Sequence, residues 1–297
     1  MKYNGPHKVI FNRNDSNLGI PGHVNRIFEI AHGELVIFAA GDDISLPERV
    51  QTNYQAWETL NRKSLCIFSG ISAIDKQGNE IKTDRYTHSC SKTGTFIEER
   101  YSVPEFCSFE IKPLIVGGAA AWSPRLLEIF GPLPDYIIQE DEVLSLRTAC
   151  LGSFTYIPSP LIKYRLHDKN IFASPPQSRA NVLNEFEQED VKYQFRLEKR
   201  SKMFEAFILD LETAKRKSLL HDSIVELAIE ECNKNAKIIK LEMSFYKSSF
   251  LKKCRLLYQL KKMGLQMSKM RSLFYMLFPA IYRSLKLWRN HFNNNPS

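Results

Sequence analysis

Six cysteines lie scattered along 297 residues, at positions 66, 90, 107, 150, 232 and 254, and no two form a C-x-x-C pair. Neither a zinc-ligand pattern nor a disulfide framework follows from that spacing, so reduced thiols of a cytosolic protein are expected. Met1 to His7 lacks the apolar core that directs export, and export is not expected. Long apolar runs are missing too. In the carboxyl-terminal region the longest, Leu273 to Tyr282, is short for a bilayer and is broken by Pro279. Acids almost vanish there: from Leu241 to Ser297, Glu242 stands alone against eleven Lys or Arg. The formal net charge of +8 therefore resides in this tail, and the rest of the chain is slightly negative. Such a tail suits an anionic surface, membrane or nucleic acid. Because no nucleic-acid reading motif accompanies it, a membrane is the expected partner, through 251–292, where Leu251, Leu256, Leu257 and Leu260 alternate with cations. A helical hairpin with a solvated basic face is the other reading.

What is present is ordinary globular composition, 43% hydrophobic and 25% charged, which excludes a disordered chain. No internal repeat stands out. Lys8 to Phe11 predicts a short strand, Asn25 to Ile30 a helix, and Leu35 to Ala40 a strand; βαβ order of this kind favours parallel pairing. Further strands are predicted at Leu65–Ile71, at Ile115 onward, at Phe154–Ile157 and at Leu161–Arg165, with a turn at Asp75–Asn79. Residues 84–105 read as a loop. A helix is expected from Pro124, and another, opened by Glu140-Asp141-Glu142, ends at Gly152. After Ser174-Pro175-Pro176 the chain turns rich in Leu, Glu, Lys and Arg. We therefore divide it into an α/β domain over 1–172 and an α-helical region over 173–297, whose helices are also a route to a homodimer.

Two sets of acids draw attention. The apolar run Leu35-Val36-Ile37-Phe38-Ala39-Ala40-Gly41 ends in Asp42-Asp43, two hard oxygen donors at the carboxyl end of a strand, where open α/β sheets bind ligands. Asp is equally at home in a turn or at a helix start, and Pro47 follows closely. The second set, Glu140, Asp141 and Glu142, either supplies a catalytic carboxylate or complements the helix dipole.

The order of motifs resembles the inverting family 2 glycosyltransferases of GT-A fold, particularly bacterial enzymes that build surface polysaccharides. The resemblance rests on Asn17-Leu18-Gly19, Asn25, Gly33-Glu34, Gly41-Asp42-Asp43, Pro47-Glu48-Arg49, Gly117-Gly118-Ala119, Gly131-Pro132-Leu133, Glu140-Asp141, Arg147, Gly152 and Tyr164-Arg165-Leu166-His167, over roughly 150 residues. It implies a Rossmann-like mixed sheet and transfer of a sugar from a nucleotide-sugar donor to a glycan or lipid-linked acceptor of O-antigen, capsule or exopolysaccharide. Asp42 and Asp43 resemble the family's D-x-D motif, with Ala40 where many relatives carry the first Asp. They would bind the donor and, with His167, a Mg²⁺ or Mn²⁺ ion on its diphosphate. Asp141, next to Glu140, resembles the catalytic base. Asn17, Gly19, Arg147 and Arg165 are implied on the donor side, and Gly117, Gly118 and Trp122 on the acceptor side, although core packing is the simpler role for Trp122. An inner-face, peripheral membrane location would follow.

One departure stands out. Family members begin with two βα units that grip the nucleotide base, and this chain starts at the approach to the third strand, so the fold is expected to be amino-terminally truncated. Weak nucleotide-sugar binding by residues 1–297 is expected, and micromolar UDP or TDP binding in a titration would overturn it. The alternative function is an inactive remnant or a membrane-associated scaffold of a polysaccharide-synthesis system.

Overall fold

The computed structural model of the chain describes residues 5–82, 95–109, 112–167, 170, 182–265, 273 and 277, with backbone alone for 182–192. Helix α1 (Gly19–Ile30) leads to β1 (Val36–Ile37), β2 (Ile44–Ser45) and α2 (Arg49–Thr59). Then follow β3 (Cys66–Ile74), β4 (Glu80–Ile81), β5 (Ile97–Glu99) and α3 (Val103–Ser108). A 3₁₀ turn (Gly117–Ala119) runs into β6 (Ala120–Trp122), α4 (Arg125–Phe130), α5 (Glu140–Leu151) and β7 (Phe154–Arg165). Three helices follow: α6 (Val182–Arg216), α7 (Asp222–Tyr246) and α8 (Phe250–Lys262).

The strands make one mixed sheet in the order β1-β6-β3-β7-β2, with β4 on β3 and β5 on β7. The βαβ order read over residues 8–43 predicts parallel pairing there, but residues 8–11 form no strand and β1 pairs antiparallel with β6; the parallel pair of the sheet is β3 with β7. The other pairs are antiparallel. Near its middle the β3–β7 ladder slips register beside Gly70, where a Cβ would sit 3.0 Å from the Pro158 carbonyl oxygen. Glycine lets the two backbones close over the irregularity.

Local details depart from sequence expectation in four places. Residues 8–11 join no ladder among the described residues, and Phe11 is 88% exposed, because no described strand lies alongside to use their apolar side chains. Helix α1 begins six residues before Asn25: the Asn17 side-chain oxygen accepts the Gly19 N–H at 2.9 Å, and Pro21, Val24 and Phe28 at helical spacing give it a buried stripe. Only Val36 and Ile37 of the Leu35 run are paired as strand, although Phe38 still donates its N–H to Ala120 at 3.0 Å. Within 84–105, β5 and the start of α3 form around the buried Ile97, Val103 and Phe106; residues 83–94 lie outside the described residues.

The core does not stop where the helices begin. Cys66, Phe68 and Phe154 of the sheet, Phe106 of α3, Leu144 of α5, Phe204 and Phe207 of α6 and Val225 of α7 belong to one continuous apolar cluster. Aromatic contacts between Phe106 and Phe207 and between Phe109 and Phe204 carry it from α3 to α6. A buried ion pair joins the two regions as well: Arg147 of α5 donates from Nε and Nη2 to the Asp210 carboxylate of α6 at 2.7 and 3.0 Å. A second cluster ties α8 to α7 through Leu256, Leu257 and Leu260 against Ile238 and Phe245.

Candidate functional site

Asp42 and Asp43 occupy the bend between β1 and β2, beyond the carboxyl end of β1. The chain beyond β7 returns to meet them. Arg165 donates its backbone N–H to Asp43 Oδ1 at 2.8 Å and its Nε to the Asp42 carbonyl at 2.7 Å. Its Nη1 reaches the carbonyls of Asp75 and Lys76 at 3.1 and 3.2 Å, so one guanidinium pins the acid bend to the β3–β4 turn. His167 Nε2 lies 2.8 Å from Asp42 Oδ2, and the His167 N–H donates to Asn170 Oδ1. Asn170 thus anchors the backbone of the residue that carries the imidazole.

Asp43 is half-buried and its Oδ2 has no hydrogen-bond partner among the described residues. Burial pushes its carboxyl above the usual range, and the Arg165 N–H acts the other way. Beneath the bend, Arg49 is 2% exposed and donates Nη2 to the carbonyls of Phe38 and Gly118, at 2.5 and 2.8 Å, and Nη1 to Ser45 Oγ at 2.9 Å. Burial lowers its pKa to about 10, so it remains a cation at neutral pH. It ties the end of β1 to the Gly117–Gly118 turn.

That turn separates the two acid sets. A Cβ on Gly118 would lie 3.4 Å from Asp43 Oδ2, and one on Gly117 would lie 2.5 Å from Glu140 Oε1 and 3.5 Å from Asp141 Cβ. Because adjacent Cα atoms are about 3.8 Å apart, these contacts place the nearest oxygens of Asp43 and Glu140 no more than about 13 Å apart. Gly117→Ala is therefore expected to push the Glu140 carboxylate aside and cost about tenfold or more in turnover, with the fold intact; unchanged turnover in the purified variant would contradict it.

Glu140, Asp141 and Glu142 form the first turn of α5. Asp141 Oδ1 accepts the Glu142 N–H at 2.9 Å, and Glu142 pairs with Lys112. Lys112 also lies over the Phe109 ring, with its Nζ 4.1 Å from the centroid. Burial, then the charges of Glu140 and Glu142, push the Asp141 carboxyl well up, while Lys112 pulls it down; burial raises Glu140 to about 7. A carboxylate so raised is a stronger base than an ordinary aspartate.

Other residues singled out in the sequence lie elsewhere. The Arg147 guanidinium is spent on Asp210 and on the carbonyl of Gly131 at 2.7 Å, and is 1% exposed, too deep to meet a donor phosphate. Trp122 is fully buried between β1 and β3, so it presents no face to an acceptor. Asn17 and Gly19 shape the start of α1, and Gly19 adopts φ +67°, a region glycine enters freely. Lys112 and Asn170 had no role in the sequence reading, and Arg49 entered it within Pro47-Glu48-Arg49 without a place in the site. Arg49 alone left a signal there, a cation six residues after Asp43. A cleft of about 800 Å³ opens at the amino ends of β1 and β3, lined by Phe28, Glu34, Trp57, Arg62 and Arg125. None of the site acids lines it, so the size of that cleft does not locate the chemistry.

The chain is similar to an uncharacterized glycosyltransferase of Methanocaldococcus jannaschii. The two are 34% identical over 171 residues, covering 56% of this chain and 54% of the archaeal protein. The chain thus spans about half the length of the curated relative it matches. No family model matches it.

Proposed function

We propose that this chain works in sugar transfer from a nucleotide-sugar donor, as an inverting glycosyltransferase of GT-A type acting in surface-polysaccharide synthesis. The observation that carries the reading is the Gly117–Gly118 turn, with Asp43 against one glycine and Glu140 and Asp141 against the other. The sequence similarity to the archaeal glycosyltransferase adds independent support.

In this reading Asp141 receives the proton of an acceptor hydroxyl as that oxygen bonds to the anomeric carbon. The bond from that carbon to the donor phosphate breaks on the opposite face, and its electron pair leaves with the nucleoside diphosphate. Glu140 keeps Asp141 basic through its charge, and Lys112 limits that effect by pairing with Glu142. Arg165 and Arg49 hold the Asp42–Asp43 bend at a fixed distance from α5.

Among the described residues no group of three His, Cys, Asp or Glu forms a ready metal cage. Asp42 with His167, and Asp43 with its unpartnered Oδ2, nonetheless fit a divalent ion shared with a phosphate, since Mg²⁺ is commonly held by one or two carboxylates plus phosphate and water. Asp42, Asp43 and His167 would hold Mg²⁺ or Mn²⁺, which supplies positive charge to the departing diphosphate.

The test is nucleoside diphosphate release from a panel of nucleotide sugars with a glycan or lipid-linked acceptor, using the protein as its gene encodes it. Release that needs Mn²⁺ or Mg²⁺ and disappears in Asp43→Ala is expected. No release with any donor, in a folded protein, would favour the scaffold alternative. The pH profile adds a second check. Asp141 must be deprotonated to act, and its raised pKa puts the acid limb of turnover above the usual carboxylate range of about 4. Glu140→Gln removes a neighbouring negative charge, so that limb should move to lower pH; a move upward would contradict the assignment.

A further inference from the structure

Helix α8 reads Phe250-Leu251-Lys252-Lys253-Cys254-Arg255-Leu256-Leu257-Tyr258-Gln259-Leu260-Lys261-Lys262 and contains no acid. Its sequence nominates Leu251, Leu256, Leu257 and Leu260 for a lipid surface, but the structure buries the last three with Ile238 and Phe245 of α7 and with Leu265, Leu273 and Leu277. Lys253 is also committed to that side, with its Nζ 5.2 Å from the Phe245 ring centroid.

At 3.6 residues per turn, Leu251, Arg255, Tyr258 and Lys262 fall on one stripe half a turn from the buried leucines. Leu251 is 81% and Tyr258 71% exposed, and Lys252, Arg255, Lys261 and Lys262 are exposed around them. We propose that this solvent stripe of α8, and not its leucine face, seats on a bilayer rich in anionic phospholipid. Charge complementarity names the partner, because four exposed cations with no anion on the helix face attract a negative surface. The two uncharged members decide between lipid and nucleic acid. A large aliphatic side chain beside a tyrosine, with cations around both, has depth to insert below headgroups and gives little to a phosphate backbone. The proposal is independent of the sugar-transfer reading, because α8 contributes no residue to the acid site.

Co-sedimentation of the full chain with vesicles of phosphatidylcholine plus phosphatidylglycerol, against phosphatidylcholine alone, tests it. Wild type should pellet with the anionic vesicles only. Lys252→Glu/Arg255→Glu/Lys262→Glu should weaken binding at least about tenfold, and Leu251→Ser/Tyr258→Ser should weaken it as well, both with the wild-type thermal midpoint. Full binding by the charge-reversed variant would place the lipid contact outside α8 and overturn the proposal. Equal binding to both vesicle types, no binding to either, or tighter binding to random duplex DNA would overturn it too.

Discussion

Asp141→Asn is expected to lower sugar transfer by about 10²–10⁴-fold, the usual worth of a positioned general base, while donor affinity stays within about threefold. The asparagine keeps the shape and can still accept the Glu142 N–H, so the fold and the start of α5 should survive. What it cannot do is take a proton from the acceptor. Steady-state kinetics and donor titration on the same preparation separate the two effects. Loss of donor binding in step with turnover would move Asp141 to a binding or structural role, and unchanged turnover would remove it from the mechanism. Glu140→Gln should be milder, since Glu140 acts on Asp141 through its charge.

Arg147→Leu is expected to be the most destabilising single change. It leaves Asp210, 4% exposed, without its cation and also strips the Gly131 carbonyl of a donor. Breaking one side of a buried ion pair costs about 3–5 kcal/mol, roughly 5–15 °C in Tm. Burial already raises the Asp210 carboxyl, and loss of Arg147 would raise it further. A carboxyl whose folded pKa is raised favours folding below its unfolded pKa of about 4 and loses that contribution as pH rises through the folded value. The deficit of the variant should therefore shrink toward acid pH. Arg147→Leu/Asp210→Leu should recover much of the loss, because no unpaired charge remains. A Tm near wild type for Arg147→Leu, or a double variant worse than the single, would contradict the clamp between α5 and α6.

Much of this architecture was legible in the residues. Long apolar strands such as Leu65–Ile71 and the acid-opened helix ending at Gly152 carry their own periodicity and end signals, and they formed nearly as read. Residues 8–11 did not, because an apolar run becomes a strand only where another strand lies beside it, and sequence does not say which neighbours are present. The meeting of Asp42 with His167, 125 positions apart, follows from the position of β7 in the sheet, which spacing cannot reveal. Arg147 and Trp122 illustrate the opposite limit. Their chemistry suits ligand binding, yet a cation facing Asp210 and an indole between β1 and β3 become core once the helices and strands close around them. On α8 three of the four leucines that made the helix look lipid-seeking are those the fold itself uses, and Leu251 is left exposed.

The account rests on a division of labour between the acids on either side of the Gly117–Gly118 turn. Titration of Mn²⁺ with UDP or TDP into wild type, Asp43→Ala, His167→Ala and Asp141→Asn measures that division directly. The account predicts metal-dependent binding by the wild-type chain that falls in Asp43→Ala and His167→Ala and is unchanged in Asp141→Asn. Equal weakening in all three variants, or nucleotide binding indifferent to Mn²⁺ and to Asp43, would contradict it.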